Sequence, residues 1–443
     1  MPQEQITIKK NRIAIVGSGP SAAAAHMVLS KSLSNISMEI IDIGAVVGSD
    51  GDVGALPTKL KGHRGDFSMY RFPFKSEKFR SKFPFLLSSQ SMGGFTQVWG
   101  GSTSPTISEF GVPVMKIQSD KFDSFKILPD KLEGFSVIKK DTYVTVEENN
   151  CTKCGQCLLG CQFSAIWGAR EYWLNQLRTT YRSGIKVSQI LQRDSRLILL
   201  DDNSKVIGAY DYIFLAAGAL GSLDILMNSK IIDCIEMGNS DMVIIPFLAF
   251  KSIKNQKNEL SVPSYSLEIS KNTNKISYMQ IYTNLGHVKA ILEKNNILIR
   301  AMPQKIWEKI SKYLGVAFVY HCSHISRSIR IKTLNNEVIG AIIDHDENRA
   351  LRNQLNRLYK SLFLSNGFVP LLLTNREEPF GRSFHVGSID SHGKESSLID
   401  LLRMKGIICV DGLALTEIKA GPFVDSLMEN AAEITRTFVA DLK

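Results

Sequence analysis

The chain has 443 residues, 44% of them hydrophobic, and a formal net charge of +10. Such a length and apolar content read as a globular chain with a large core or two interlocked domains. The basic balance would suit nucleic acid, yet the 53 Lys and Arg residues are spread along the chain and build no nucleic-acid module, so no nucleic-acid partner is expected.

Residues 12–16, Arg-Ile-Ala-Ile-Val, read as a short buried strand. Gly17, Gly19 and Ala22 follow in a G-x-G-x-x-A turn that opens an alanine-rich helix. Gly17 allows the tight turn, Gly19 lets the backbone approach a pyrophosphate, and Ala22 is small enough for close helix–strand packing. Free N–H groups at the helix start would then face phosphate charge. A second strand, 38–42, ends in Asp42, placed where a ribose hydroxyl would be held. An acid there argues against a 2′-phosphate ligand. Gly17, Gly19 and Pro20 also break the apolar stretch 13–29 and no processing site follows it, so it reads as structure and not as a leader.

A dense basic patch runs from Lys59 to Lys82 and is interleaved with Phe72, Phe74 and Phe79. It reads as a solvated loop with aromatic anchors, or as a surface for an acidic partner or anionic substrate. A glycine-rich loop spans 91–102 and contains Gly93, Gly94, Trp99, Gly100 and Gly101.

Four of the seven cysteines fall within eleven residues, Cys151, Cys154, Cys157 and Cys161, at the C-x2-C-x2-C-x3-C spacing of ferredoxin-type ligands. An iron–sulfur cluster, [4Fe-4S] or [3Fe-4S], is one reading. A cysteine-rich loop that only braces the chain is a second, and zinc or disulfides a third. Gln162 stands where ferredoxins usually carry proline. The remaining three, Cys234, Cys322 and Cys409, read as buried thiols in a reducing compartment, which favours a cytoplasmic location.

An apolar strand over 209–217 runs into Ala217 and Gly218. The later apolar run 242–250 is too short to span a bilayer and contains Pro246, so no transmembrane segment is expected. Segments 316–320 and 328–332 read as strands of a sheet. His321 and His324 share an H-x2-H spacing but lack an acidic or cysteine partner motif for metal. Near the end, 407–412 finishes in Asp411 and Gly412, and Gly421 and Pro422 precede a helix with Phe423, Leu427, Ala431, Ile434 and Phe438 on one face.

In this order, the glycine turn, the 91–102 loop, the cysteine segment, the strand ending at Ala217 and Gly218 and the closing Asp411, Gly412, Gly421 and Pro422 resemble the glucose–methanol–choline family of FAD-dependent oxidoreductases. The resemblance covers roughly 10–110, 150–230 and 380–443. It implies an α/β fold, a Rossmann-like FAD-binding domain with an inserted β-sheet-rich substrate domain. The expected division is 1–235 for the FAD-binding domain, 236–380 for the substrate domain and 381–443 for the returning FAD segment. It implies bound, not bonded, FAD, since no histidine lies in 91–102.

The family oxidises alcohols by passing hydride to flavin N5 while a base takes the hydroxyl proton. His385 matches the family's histidine–glycine segment, and a histidine suits the role because it titrates near neutrality. Many family members carry Asn or His where Gly421 stands, and a backbone N–H cannot exchange a proton. Either His385 works alone or another group enters from the substrate domain. The expected activity is therefore oxidation of an alcohol of small-molecule, sugar or polyol type. Electrons leave to an external acceptor or partner protein, through a cluster if the cysteines hold one. The alternatives are a flavoprotein oxidase with structural cysteines and a catalytically altered flavin-bearing subunit of a complex.

Overall fold

The computed structural model describes residues 11–33, 36–44, 70–71, 73–97, 99–117, 134–153, 157, 161, 165–176, 180–253, 260–283, 300–335, 337–371, 376–388 and 398–442. It is a mixed α/β protein. In chain order the elements that position the site begin with β1 (Arg12–Val16), α1 (Pro20–Ser32) and β2 (Ser37–Ile41). Strands β3 (Phe135–Lys140), β4 (Thr180–Arg182) and β5 (Tyr212–Leu215) follow, then α2 (Ala219–Asn228). Next come β6 (Cys234–Asn239), β7 (Met242–Ala249), β8 (Tyr265–Lys271), β9 (Asn274–Tyr282) and α3 (Gln304–Ile310). The chain continues through β10 (Leu314–His321), β11 (Ser328–Leu334), β12 (Glu337–Ile343), α4 (Asp346–Ser365) and β13 (Phe368–Pro370). It closes with β14 (Val386–Ser388), β15 (Ile407–Cys409) and α5 (Phe423–Asp441).

Strands β15, β5, β1, β2 and β4 form a five-stranded sheet in that order, parallel throughout. Its strands are apolar on both sides, as a sheet covered on two faces must be. Ile13, Ile15, Ile40, Phe214 and Ile408 pack with Ala22–Ala25 of α1 and Met428 and Ala431 of α5. The alternate residues Ala14, Val16, Ile213, Leu215 and Ile407 pack into a second core with Leu197 and Leu199 of an antiparallel three-stranded sheet over 187–210.

Strands β13, β7, β10, β9, β8 and β3 build a larger antiparallel sheet, to which the short strand Arg376–Glu377 also pairs. One face packs on α4, whose Leu355, Leu358, Tyr359, Leu362 and Phe363 recur at helical spacing. The period of two then turns Tyr320 of β10 and Gln280 and Tyr282 of β9 to the opposite side, where they line a cavity. Strand β3, from ahead of residue 236, forms an edge of this sheet. A four-stranded sheet, β12, β11, β6 and β14, carries the segment after His385.

The segment 242–250 forms strand β7, with Phe250 beyond its end and 74% exposed. Cys322 and Cys409 are buried thiols, but Cys234 is exposed at the start of β6, where the pairing with β14 covers only residues 237–239. Pro422 caps α5 from just outside its first turn. The helix buries Met428, Ala431, Ala432, Thr435 and Phe438, leaving Phe423 and Leu427 to line the cavity. Residues 59–69 and 72 of the basic patch lie outside the described residues, and Phe74, Phe79 and Phe83 anchor in the core. No helix among the described residues is long and apolar enough to cross a membrane.

Candidate functional site

A cavity of about 600 Å³ opens beyond the carboxyl ends of β1, β2, β5 and β15. Its lining brings together Gly17, Gly19, Asp42, Gly94, Trp99, Gly100, Ala217, Gly218, Asp411, Gly412, Gly421, Pro422 and His385, which lie up to four hundred residues apart in sequence. Gly93 and Gly101 stand just behind the lining, and Ala22 is buried against the sheet.

Three helices begin at this cavity, and none has a side-chain cap. Helix α1 starts from Gly19, α2 from Gly218 and α5 from Pro422. Their first-turn residues, including Ser21, Leu220 and Val424, are part of the lining. The first turn of a helix carries unsatisfied N–H groups and the positive end of the macrodipole, so all three favour negative charge. Helices α1 and α2 place no acidic residue in that turn. Asp425 of α5 is spoken for, accepting from the Thr103 hydroxyl at 2.6 Å and from the Ser104 N–H.

Gly17 and Gly19 are glycines for different reasons. Gly17 has φ +105°, and a Cβ there would lie 2.3 Å from the Ala216 carbonyl oxygen of the neighbouring strand end. Gly19 has ordinary extended backbone, and a Cβ would meet nothing within 4 Å. The first is required by packing. The second leaves the backbone bare toward the cavity.

Asp42 lines the cavity, but its carboxylate is held by the protein itself. It accepts from the Ser18 hydroxyl and from the Tyr181 hydroxyl at 2.8 Å. Burial pushes its pKa up against these donors. Ser18 Oγ in turn accepts from Gly93 N–H at 2.9 Å, so one hydroxyl ties the glycine turn, the end of β2 and the 91–102 loop together. The loop is fixed further by Trp99 Nε1–H donating to the Trp167 carbonyl at 2.8 Å and by the Ala169 N–H donating to Thr96 Oγ1 at 2.9 Å. Asp411 accepts from the Ser222 hydroxyl at 2.5 Å and from Leu413 N–H at 3.0 Å, and burial pushes its pKa up to about 6.

His385 closes the other end. Its ring is stacked between Tyr320, 5.2 Å away, and Phe423, 4.6 Å away. Burial holds its pKa down to about 4, so the imidazole is neutral at neutral pH. Nδ1 is buried with no hydrogen-bond partner among the described residues. The backbone is held from both sides, with His385 N–H donating to Ser383 Oγ at 3.2 Å and Ser240 N–H donating to the His385 carbonyl at 3.0 Å. Ser383 and Asn239 connect this segment to the buried Asp241, on which Arg327 closes with Nε and Nη2. Phe384 adopts φ +60° and stacks on Phe95 at 5.2 Å. Gly421, with φ +147°, has the Lys275 ammonium where a side chain would be, 3.4 Å from an added Cβ. Lys275 is paired with Glu268 at 2.8 Å. Neither Lys275 nor Glu268 is part of the cavity lining.

Cys157 is buried in an apolar cluster with Val144, Val146, Ala165 and Val262, and Cys151 and Cys161 pack against it. The Ala165 N–H donates to Cys161 Sγ at 3.2 Å. Cys154 lies outside the described residues. None of the described cysteines is in a disulfide, and among the described residues no group of three His, Cys, Asp or Glu side chains is arranged to hold a metal ion. His321 is the last residue of β10, its Nδ1 2.7 Å from Ser277 Oγ in the core, while His324 pairs with Glu417 at 3.3 Å.

The residues missing from a reading of the sequence are Ser18, Tyr181, Ser222, Gln280, Tyr282 and Tyr320. Ser18 sits inside the glycine turn, and a hydroxyl one residue after Gly17 was a legible signal. Tyr320 ends a strand segment that was legible, but its facing was not. Compared with known proteins, the chain matches no family model, and no curated sequence matches it significantly.

Proposed function

We propose that the protein is an FAD-dependent oxidoreductase acting on a CH–OH group, with a Rossmann-like FAD-binding part formed around the parallel sheet. The observation that carries this is the convergence of three uncapped helix N-termini on one cavity at the strand ends. A dinucleotide with a central pyrophosphate and, at one end, a ring that gains negative charge on reduction suits three such positive ends. Gly19 fits close backbone approach to the pyrophosphate, and Gly218 and Asp411 would meet the linking polyol. The α5 N-terminus at Pro422 would face the ring's pyrimidine side. Bound flavin would supply hydride acceptance.

The chain's own residues would do the rest. His385, neutral because it is buried, would take the substrate hydroxyl proton on Nε2, the ring being clamped by Tyr320 and Phe423. Tyr320, whose hydroxyl has no partner among the described residues, would orient the substrate oxygen, and the aromatic walls would exclude water. The apolar packing of Cys151, Cys157 and Cys161 supports the reading in which they brace the chain.

The test is anaerobic addition of alcohols and sugars to flavin-loaded protein. Bleaching of the flavin, followed by reoxidation faster with a dye than with oxygen, supports a dehydrogenase. Rapid peroxide formation supports an oxidase. No bleaching across a broad panel, with a protein partner co-purifying, would overturn the enzymatic reading in favour of a flavin-bearing subunit.

A further inference from the structure

We propose that a second face, remote from the cavity, docks on an anionic lipid bilayer. It is made by the end of β7, by α3 with the turn after it, and by the end of α4. Six large apolar side chains stand out on it: Phe250 at 74% exposure, Leu364 at 49%, Ile306 at 47%, Tyr313 at 39%, Leu248 at 38% and Ile310 at 37%.

These positions are contiguous. Leu248 of β7 pairs with Leu314, the residue after Tyr313. The Ile253 N–H donates to the Lys312 carbonyl at 2.8 Å, and Phe250 N–H donates to the Gly367 carbonyl at 3.1 Å, just beyond the end of α4. Trp307 is 1% exposed and fixes α3 to the body of the protein. At 100° per residue, that anchor turns Lys305 and Lys309 directly outward and sets Ile306 and Ile310 side by side on one flank.

Lys251, Lys305, Lys309 and Lys312 are all exposed on this face, and none has an ion-pair partner among the described residues. Glu308 is the one acidic residue within the 304–314 segment. Protruding aliphatic and aromatic side chains between unpaired lysines are what an interfacial element needs, since the apolar groups enter the headgroup boundary while the ammoniums meet lipid phosphates. A second copy of the chain fits less well. An isologous contact would set four lysines against four, and lysine is depleted from protein interfaces. A nucleic acid would neutralise the lysines but leave Phe250 and Ile306 against phosphates and water.

The face is separate from the cavity. Tyr320 and Leu314 mark opposite ends of β10, about 20 Å apart at strand rise. Docking therefore stands independently of the flavin reading.

Vesicle sedimentation of the full chain tests it, with phosphatidylcholine vesicles against vesicles containing about one third phosphatidylserine. Binding to the anionic vesicles at least about tenfold tighter than to the neutral ones, weakened by salt, is expected. The double variant Phe250→Ser, Ile306→Ser keeps every charge and is expected to lose about tenfold or more in binding at unchanged elution volume and circular dichroism. Lys305→Glu with Lys309→Glu is expected to abolish it. Failure of the wild type to sediment with anionic vesicles would overturn the proposal, as would binding that the Phe250, Ile306 pair leaves unchanged. So would a dimer in solution that the same pair dissociates.

Discussion

Replacing Gly19 by serine separates what the first turn does for the fold from what it does for a ligand. Gly19 is the N-cap of α1, with φ −68°, ψ −178° and no side-chain hydrogen bond. Any residue tolerates that backbone, and a Cβ meets nothing within 4 Å. Serine there would accept from the free N–H of Ser21 or Ala22, a gain of a few tenths of a kcal/mol over glycine. It would also restrict the unfolded chain, for about 0.4–1 kcal/mol more. The apoprotein should thus gain roughly 0.5–1.5 kcal/mol in a urea titration. FAD binding should move the other way. A pyrophosphate that loses two charge-assisted bonds of about 1.5–3 kcal/mol each binds roughly 10² to 10⁴-fold more weakly. Wild-type protein in FAD at about 100 times Kd gains about 2.7 kcal/mol, which the variant forfeits. The order of stability should therefore reverse on adding FAD. A variant that binds FAD like the wild type would refute close approach at Gly19, and one that is less stable without ligand would show the glycine serves the fold.

His385→Asn should leave flavin content intact while lowering substrate-driven bleaching by roughly 10² to 10⁴-fold. The active form of His385 is unprotonated and burial lowers its pKa from 6.5 to about 4, so the wild-type rate should hold as pH falls past 6 and drop only near 4. A loss centred at 6.5 would contradict the burial. Asp411 has its pKa raised from 3.8 to about 6, so the stability it contributes is present below 3.8 and is lost as pH rises through 6. Relative to Asp411→Asn, the wild type should lose on the order of 3 kcal/mol across that window, read by denaturation at a series of pH values. Parallel curves for the two proteins would exclude the shift. Cys157→Ser should cost about 1–3 kcal/mol by burying a hydroxyl in an apolar cluster, with flavin content unchanged. Stoichiometric iron and sulfide in anaerobically prepared wild type, lost in this variant, would instead establish a cluster.

Much of the framework was legible because it rests on local physics. Strand 12–16, the glycine turn, helix α1 and the apolar strand before Ala217 each follow from a run of neighbouring residues, and all reappear around one cavity. The closing helix was legible from its period of 3.6, although the buried stripe is centred on Met428, Ala431 and Thr435 and not on Phe423 and Leu427. What was not legible depends on register between distant strands. A slip of one residue in β10 would turn Tyr320 into the α4 core and bring Val319 to the cavity, and nothing within 316–320 alone decides between them. The same holds for Lys275 beside Gly421, a contact across 146 residues of sequence. Asp42 was legible as the acid ending the second strand, but its engagement by Tyr181 comes from β4, the strand next to β2 in the sheet.

The central claim is a flavin held without a covalent bond in the cavity where α1, α2 and α5 begin. One ultraviolet–visible spectrum of freshly purified protein, repeated on the supernatant after denaturation, tests it most directly. Flavin absorption near one FAD per chain, released intact into the supernatant, is the expected result. A colourless protein that stays colourless and gains no stability after incubation with FAD would contradict it.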